Sequence, residues 1–557
     1  MAWYSHGLDE TAGCGYSAHV IGVAASPTDL RFAAEFFELF KTPWEPIVPG
    51  RRYPVILTTV ANAEDHDTEL LLVYSASELA IDRDTTAPVQ RIDGPVAAIW
   101  DRFTFPIYGR VARFDDRCGE PALTLDGACI AYRRQAGQRT MLRIGYDLFR
   151  EVQHLLGEGQ PTDYAPTPTL ELHIAFLRHV LRDSGVSFVE IPPQPHGFDF
   201  ACCLTHDLDF HGIRRHRLDR TLAGFVARAS FGTLADLVRG RRSLTEAVRN
   251  WLALLTLPLV FIGLAPDPWN PFEAYARADG GRRSTFFLAP FKGLAGVSPN
   301  GEIEPRRAIA YQASEIREPA SRAVDRGSEL GVHGIDAWRD PEAGRAEMRE
   351  VTALTSRQTA GVRMHWLYFD AESPRRLEAA GYEYDATWGY NDAVGYRAGT
   401  SQVFRWPASD DLLELPMSIM DTALLYPRRM GLSQTEALRR CAQMVANARR
   451  FGGTLVINWH DRSLAPERQW GRVYRGLLAE VERDSRVWFA TAAEVVAWYR
   501  WRRSMRFTWE SRSGAVTVAA TAPRPTVPAA TIQCHRAHAT AIEQQCFDGG
   551  EPTRLTL

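Results

Sequence analysis

The sequence of 557 residues has little net charge and few cysteines, and each shortage excludes a class of protein. A formal net charge of -3 at pH 7 provides no basic excess with which to hold a nucleic acid. The eight cysteines lack both the Cys-x-x-Cys spacing of zinc sites and the density of a disulfide scaffold, so free thiols are expected. Cys534, His538 and Cys546 have no evident fourth ligand, and we interpret their grouping as coincidence.

The sequence also lacks a secretion signal and a long hydrophobic run. Met1–Glu10 has neither a basic nor an apolar region, so a cytoplasmic location is expected. Trp251–Ala265 is nearly uncharged, but it is shorter than the roughly 20 residues that cross a bilayer, and Pro258 interrupts it. With the basic run Arg239–Arg242, residues 239–265 leave two interpretations open: peripheral contact of an amphipathic hairpin with an anionic membrane, or a helix pair packed on the barrel.

Residues 1–192 are predicted to form a smaller mixed α/β domain. The strand-like runs Pro54–Val60 and Glu69–Tyr74 precede Leu170–Gly185, whose apolar residues recur with helical period. No glycine-rich phosphate loop follows any of the strands. The proline-rich stretch Ile191–Gly197 is unsuited to a helix or a central strand, so we interpret it as a linker.

From residue 198 to residue 505 the chain alternates strand-like and helix-like segments, which is typical of parallel strands joined by crossover helices. Most of the seven predicted strands end in Asp, His or Arg, as reactive side chains do at the mouth of a (β/α) barrel. The predicted fold class is therefore α/β: a (β/α) barrel of about seven parallel strands with a helical insertion at about 210–268. A short β-rich or poorly ordered tail is expected at 506–557. The residues expected to cluster at one end of the barrel are Asp207, His333, Arg363, Asp385 and His460.

The most informative stretch runs from Phe198 to Phe210, an apolar strand that ends in a hydroxyl, an imidazole and two carboxylates. An extended backbone points Asp207 and Asp209 to the same side. Because burying ionisable groups is costly, their position at a strand end indicates a site that binds a metal or moves protons. A strand followed by a capping Asp is the alternative interpretation.

Four motifs together resemble the polysaccharide deacetylases, the family with the chitooligosaccharide-deacetylase homology domain, over roughly residues 198–502. The segments Tyr384–Thr387, Gly395–Thr400 and Gly145–Phe149 resemble a branch in which a domain of unknown function precedes the barrel. The resemblance implies that the first Asp of the first motif is a general base and the second a metal ligand. The four motifs are Thr205-His206-Asp207-Leu208-Asp209, Glu329-Leu330-Gly331-Val332-His333, Gly361-Val362-Arg363-Met364-His365-Trp366 and Leu455-Val456-Ile457-Asn458-Trp459-His460.

The chain departs from that family at one metal ligand. In the family a second His follows the first by four residues, whereas this chain has Ala337 there. Since catalytic Zn²⁺ sites usually have three protein ligands and a water, Asp209 and His333 need a third partner. His365, on a neighbouring predicted strand, is the expected replacement, and Asp336 is the runner-up. A hydrogen-bonded His365 and a helix-capping Asp336 are the structural alternatives.

The expected cofactor is thus a divalent metal, Zn²⁺ by first preference, held by Asp209, His333 and His365. Such an ion activates water and polarises an acyl oxygen. The roles expected of other side chains are proton acceptor for Asp207, general acid toward the leaving amine for His460, and orientation of Asp207 for Arg363. Substrate contacts are expected from Asp336, Arg397 and Asp421, with a plain structural salt bridge as the alternative for each arginine.

The expected function is metal-dependent removal of an N-acyl (acetyl) group from a sugar or polysaccharide, by hydrolysis of a linear C–N bond. Two alternatives stay open: a catalytically inactive carbohydrate-binding relative, and a scaffold of an envelope polysaccharide assembly. The expected partner is a carbohydrate and not a nucleic acid, and the oligomeric state stays open.

Overall fold

The computed structural model describes residues 19–60, 67–82, 89–216, 219–240, 242–468, 470–510 and 515–557. The expectation about Met1–Glu10 falls outside these residues. The chain divides into two compact units, the first comprising residues 1–158, 169–196 and 500–557, and the second residues 159–168 and 197–499. One division lies within the predicted linker Ile191–Gly197, and the C-terminal segment clusters with the first unit.

The first unit contains a mixed α/β layer built on a nine-stranded sheet, in the order β2-β1-β3-β4-β11-β10-β9-β6-β7, while β5 pairs with β8. β1, β3 and β4 pair in parallel and are buried along their whole length, which explains their continuous apolar sequence. The elements are β1 (Ile21–Ala24), α1 (Pro27–Phe40), β2 (Trp44–Pro46), β3 (Val55–Thr58), β4 (Leu70–Tyr74), β5 (Gln90–Ile92), β6 (Val96–Trp100), β7 (Phe103–Ile107), β8 (Val111–Arg113), β9 (Glu120–Leu125), β10 (Ala128–Ala136), β11 (Arg139–Ile144), α2 (Leu148–Gly157), α3 (Thr169–Asp183) and β12 (Phe188–Glu190).

The second unit alternates strands and helices along most of its length, as its sequence predicts. Its elements are β13 (Phe200–Leu208), α4 (Arg220–Ala227), α5 (Thr233–Val238), α6 (Leu244–Leu255), α7 (Leu257–Phe261), α8 (Pro271–Ala278), β14 (Ser284–Leu288), α9 (Arg317–Asp325), β15 (Glu329–Gly334), α10 (Pro341–Thr352), β16 (Val362–Met364), α11 (Ser373–Ala380), β17 (Tyr384–Asp385), β18 (Phe404–Arg405), β19 (Leu413–Glu414), β20 (Ile419–Met420), α12 (Asp421–Leu425), α13 (Gln434–Phe451), β21 (Thr454–Asn458), α14 (Gly471–Glu482), β22 (Val487–Phe489) and α15 (Ala492–Ser504), which begins in this unit.

The strands of the second unit form one ten-stranded sheet, in the order β18-β19-β17-β16-β15-β14-β13-β21-β20, with β22 also paired to β13. Every pairing is parallel except that of β18 with β19. The sheet is curled, but among the described strands its hydrogen-bonded path ends at β18 and β20. The parallel α/β architecture is therefore present as a half-barrel, and the predicted barrel of about seven strands is not confirmed.

The central strand β13 determines where the functional side chains lie. It is buried throughout, and it pairs with β14 through Leu204–Leu208 and with β21 through Ala201–Thr205. Because the neighbouring strands run parallel to it, their carboxyl ends meet at the same edge of the sheet. The residues that end β13, β15, β16 and β21 are thereby brought together.

Local sequence signals set most of the helix ends. Ser433 and Glu436 form the predicted capping box of α13, and Asp340 caps α10 with Pro341 in its first turn. Ala313–Ile316 form a 3-10 turn before α9, so the regular helix begins only at Arg317. The predicted insertion is helical and consists of α4 to α7, with a π-helical turn, Arg228–Gly232, between α4 and α5.

The last strands of the chain belong to the first unit. They form two three-stranded sheets, β12-β25-β26 and β23-β24-β27, in which all pairs are antiparallel. These strands are β23 (Met505–Trp509), β24 (Ala515–Ala520), β25 (Ala530–His535), β26 (Glu543–Phe547) and β27 (Thr553–Thr556).

Candidate active site

The carboxylate of Asp207, near the end of β13, is anchored on both sides. Arg363 Nη1 donates to its Oδ1 at 3.0 Å, and Asn458 Nδ2 donates to its Oδ2 at 2.7 Å. The same Arg363 nitrogen donates to Thr205 Oγ1 at 2.7 Å, and its Nε donates to the Ala386 carbonyl. Arg363 therefore orients Asp207 as predicted, but through one nitrogen and not as a bidentate pair.

The charge state of Asp207 follows from this setting. Burial opposes its ionisation, but the Arg363 guanidinium, with His333 and His460 nearby, lowers the pKa of the carboxyl below its ordinary value. Asp207 is thus a fixed carboxylate with remaining lone pairs, since two oxygens offer about four acceptor sites. Such a group is able to accept a proton from a neighbouring water.

Asp209, His333 and His365 converge, as the sequence predicts. One potential ligand atom from each lies within 4.8 Å of the other two. Asp209 Oδ1 is 3.2 Å from His333 Nε2 and 3.5 Å from His365 Nε2, and the two imidazole rings are 4.8 Å apart between centroids. His333 is the penultimate residue of β15 and His365 directly follows β16, so parallel pairing of these strands puts the two imidazoles side by side.

The protonation states of Asp209 and His365 fit a divalent metal. Burial opposes the ionisation of Asp209, but His365, His333 and His460 lower the pKa of its carboxyl far below the ordinary value. Burial lowers the pKa of His365 well below that of a free imidazole. A metal needs an ionised carboxylate and a neutral imidazole, and these are the states that the site favours for Asp209 and His365.

Two buried polar atoms of this cluster lack a hydrogen-bond partner among the described residues: Asp209 Oδ1 and His333 Nε2. The other ring nitrogen of His333 lies 3.1 Å from the Arg363 carbonyl oxygen. Since a carbonyl accepts only, it selects the tautomer with the proton on Nδ1, which leaves Nε2 with a free lone pair. The residues present therefore fit a metal ion that Asp209 Oδ1 and His333 Nε2 would coordinate.

Ala337 stands where the family has its second His, and its surroundings explain how the chain uses the position. It is fully buried, and a Cβ built on Gly344 of α10 would lie 3.3 Å from the Ala337 Cβ. A small residue suits this packing. The runner-up ligand Asp336 is not part of the cluster, because its Oδ1 accepts the Val297 backbone N–H at 3.0 Å.

His460 follows β21 and is held by Asp421. Its Nδ1 lies 2.6 Å from Asp421 Oδ1, and its backbone N–H donates to Asp421 Oδ2 at 2.8 Å. Burial opposes protonation, but the Asp421 carboxylate raises the pKa of His460 to about 10. Asp421 was expected to bind substrate; it is instead completely buried and hydrogen-bonded to His460 and to the Ser463 hydroxyl. It is a positioning residue for an imidazolium.

The remaining predicted residues lie on the same unit. The Arg397 guanidinium lies 3.6 Å from the centre of the Trp388 ring, a cation–π contact, and donates to the Gly389 carbonyl. Among the described residues it forms no salt bridge, which was the alternative considered for it. Asp385, on β17, accepts hydrogen bonds from the Thr387 N–H and hydroxyl, and burial raises the pKa of its carboxyl to about 6.

Three further residues support the site but were not singled out from the sequence. Asn458 holds Asp207, and its place two residues before His460 on β21 was a usable signal. Asp461 Oδ2 accepts the N–H groups of Phe210 and His211, which fixes the chain just after Asp209. Arg307 donates to the His365 carbonyl at 2.9 Å and to the Ile335 carbonyl at 2.9 Å, and nothing in its local sequence signals this.

Fold and site together define an α/β protein with a mostly parallel sheet and a candidate three-residue metal site at the carboxyl ends of its strands. No known family profile and no curated protein matches the sequence. Among solved structures, the chain is similar to a protein from Mycobacterium smegmatis assigned as a polysaccharide deacetylase, at 18% identity and TM-score 0.33, over 56% of this chain and 95% of the other.

Two further solved structures extend the comparison. Agd3, described as a novel carbohydrate deacetylase, matches over 98% of this chain and 100% of its own, at 10% identity and TM-score 0.35. A CE4 family pseudoenzyme from Bacillus anthracis matches over 53% and 65%, at 11% identity and TM-score 0.24. Such low identities and TM-scores establish neither activity nor substrate for this chain.

Proposed function

We propose that this protein is a metal-dependent hydrolase that removes an N-acyl group from a carbohydrate. The observation that carries the proposal is the convergence of Asp209, His333 and His365 beside an anchored carboxylate, Asp207. A general base next to a three-ligand metal site provides the groups that hydrolysis of an amide by water requires.

Asp209, His333 and His365 would hold the divalent ion, for which Zn²⁺ suits one oxygen and two nitrogen ligands. When bound, the ion supplies Lewis-acid chemistry at the acyl oxygen and lowers the pKa of water at the site. Asp207 takes the proton of the attacking water, while Arg363 and Asn458 keep its carboxylate in place.

His460 completes the proton transfer. The pKa of its imidazole is raised to about 10 by Asp421, so the ring carries a proton at neutral pH and is able to give it to the leaving amine nitrogen. Asp421 holds the ring through Nδ1 and so leaves Nε2 to act as the donor.

A cleft of about 550 Å³ in the second unit supports a carbohydrate as the substrate. It includes Trp366, which follows His365 directly and is 40% exposed, together with Asn391 and Arg397. Trp366 has φ 64° and the next residue, Leu367, has φ 55°, an uncommon backbone that presents the indole at the surface. An aromatic face beside amide and guanidinium donors suits the apolar face and the hydroxyls of a sugar ring.

The substitution Asp207→Asn tests the proposal. With N-acetylated chito-oligosaccharides as the probe, the variant should retain bound metal but lose roughly 10²–10⁴-fold in turnover, because it removes the proton acceptor alone. Released acetate and metal content are measured on the same sample.

The opposite result supports the carbohydrate-binding alternative, which Ala337 favours. In that case wild-type protein supplied with Zn²⁺, Co²⁺, Mn²⁺ or Ni²⁺ hydrolyses none of the probes, yet binds them with an affinity that Asp207→Asn does not change. Such an outcome would refute the enzyme proposal.

A further inference from the structure

The helical insertion of the second unit exposes an apolar surface that the proposed chemistry does not use. On α6 and α7, large apolar residues recur at spacings of three and four, which places them on one helix face. The exposed residues on this face are Leu244, Val248, Leu252, Leu255, Leu259 and Ile262.

The first helix of the insertion carries a matching stripe. Val226, Phe231, Leu234 and Val238 are exposed, and Phe231 and Val238 retain 79% and 80% of their accessible surface. The interval of five between Val226 and Phe231 spans the π-helical turn Arg228–Gly232. Because a π-turn adds one residue, the stripe stays on one face.

The other faces of the two helices hold the insertion together. Asn250 Nδ2 donates to Thr233 Oγ1 at 2.8 Å, and both residues are completely buried. Trp269, Phe225 and Ala465 share a hydrophobic core, and Trp269 Nε1 donates to Glu467 Oε1 at 3.1 Å. The hairpin is therefore attached to the loop that follows His460, and its apolar stripes are turned away from this core.

The charges around the stripes are positive. Residues 220–265 contain six arginines and two acidic residues. Both acidic side chains are engaged, Asp236 with Arg242 at 3.8 Å and Glu246 with Arg472 at 2.8 Å. Arg239 and Arg249 are exposed, and no described carboxylate pairs with either. An apolar stripe with unpaired arginines complements an anionic lipid surface.

Length and burial agree with contact at a bilayer surface. Within the described residues, Arg220–Val238 is one helical stretch long and apolar enough to cross a membrane, and 17% of it is buried. The second arm of the hairpin, formed by α6 and α7, is interrupted at Thr256. The buried hydrogen bond from Asn250 to Thr233 joins the two arms. The hairpin therefore keeps its apolar stripes exposed on its outer faces.

We propose that the insertion, residues 220–265, docks the protein on an anionic phospholipid bilayer, with the two apolar stripes in the headgroup and acyl boundary and Arg239 and Arg249 at the phosphates. Docking would bring the membrane next to the loop after His460. The amphipathic-hairpin interpretation of residues 239–265 is thereby extended to α4 and α5, whose stripe the sequence pattern had not indicated.

Vesicle sedimentation with full-length protein tests this proposal without any need for metal or catalysis. The protein should pellet with phosphatidylcholine vesicles that contain phosphatidylglycerol, and more weakly with phosphatidylcholine alone. Leu252→Ser combined with Leu255→Ser and Ile262→Ser should reduce partitioning by more than about tenfold, since each buried apolar side chain contributes substantially. Arg239→Gln with Arg249→Gln should remove most of the preference for anionic lipid and its sensitivity to salt.

A matched control separates docking from general stickiness. Leu294 lies outside the insertion and is 52% exposed, close to the 54% of Leu252. Leu294→Ser should leave vesicle binding unchanged, whereas Leu252→Ser should weaken it. Circular dichroism confirms that each variant is folded.

Two results would overturn the proposal. One is failure of the wild-type protein to pellet with either vesicle. The other is a dimer, seen by light scattering after gel filtration, that the triple serine variant abolishes while vesicles do not compete for it; a second copy of the chain would then cover the stripes. Deacetylation of soluble probes is measured separately, so that loss of docking and loss of the proposed activity are distinguished.

Discussion

At the scale of single residues, the pairing of His460 with Asp421 makes a prediction about pH. Asp421 raises the pKa of the imidazole, so the acid form of His460 persists through neutral pH and is lost as the pH rises toward about 10. Asp421→Asn removes the main raising charge and should move the alkaline limb of the kcat/KM profile to lower pH. The profile is measured with a soluble N-acetylated probe.

A conservative control accompanies that variant. Asp421→Glu keeps the charge and should retain an alkaline limb closer to that of the wild type. If Asp421→Asn left the limb in place while reducing turnover, Asp421 would have a purely structural role and His460 would not be the titrating acid.

The sequence predicted those site residues that end strands. Asp207, Asp209, His333 and His460 follow apolar runs, and burial of an ionisable group at such a place is itself a signal. Asn458 was missed although its place at the end of β21 was a usable signal. Asp461 and Arg307 were missed because they act through hydrogen bonds to residues distant in sequence, which leave no local pattern. The same reason explains Asp421, whose chemical type was noticed but whose partner was not.

At the scale of elements, Arg307 joins the ends of two strands. It is almost fully buried, and it donates to the carbonyl oxygens of His365 after β16, Ile335 after β15 and Ala295. Arg307→Met should destabilise the second unit by about 2–4 kcal/mol, because several buried carbonyls lose a charged donor. It should also weaken metal binding, because the loops after His333 and His365 lose their common anchor.

Arg306→Met is the matched control for this substitution. Arg306 lies in the same 3-10 turn, but its side chain is largely exposed. Its ion pair with Glu304 is long, with 3.9 Å between Arg306 Nε and Glu304 Oε1. Denaturant unfolding should give nearly the wild-type midpoint for Arg306→Met and a clearly lower one for Arg307→Met. Equal effects of the two substitutions would show that the turn, and not the buried guanidinium, supports the site.

The elements themselves were predicted unevenly. Long amphipathic segments with caps, such as α13, follow from local sequence alone. The apolar runs Tyr382–Asp385 and Leu412–Met417 contain only the short strands β17 and β19, because an apolar pattern shows which residues prefer an extended backbone but not which find a pairing partner. Only Asp385 of β17 pairs with β16, at Val362, and this limits how the sheet continues.

At the scale of the whole molecule, a boundary between the two compact units lies within the proline-rich linker Ile191–Gly197. That the C-terminal segment clusters with the first unit was not predictable. β25 pairs with β12 through residues separated by more than 300 positions, such as His535 and Phe188. Arg502 donates to the carbonyls of Leu39 and Ile191 within the first unit. Contacts at such separation leave no periodic signal in the local sequence.

Elemental analysis of purified full-length protein, together with X-ray absorption at the metal edge, tests directly whether Asp209, His333 and His365 bind a divalent metal. We expect one metal per chain, bound by two imidazole nitrogens and oxygen ligands. Asp209→Asn should lose the metal, while Asp336→Asn should keep it, because Asp336 lies outside the cluster. No stoichiometric metal after incubation with Zn²⁺, or loss of metal in Asp336→Asn but not in Asp209→Asn, would contradict the claim.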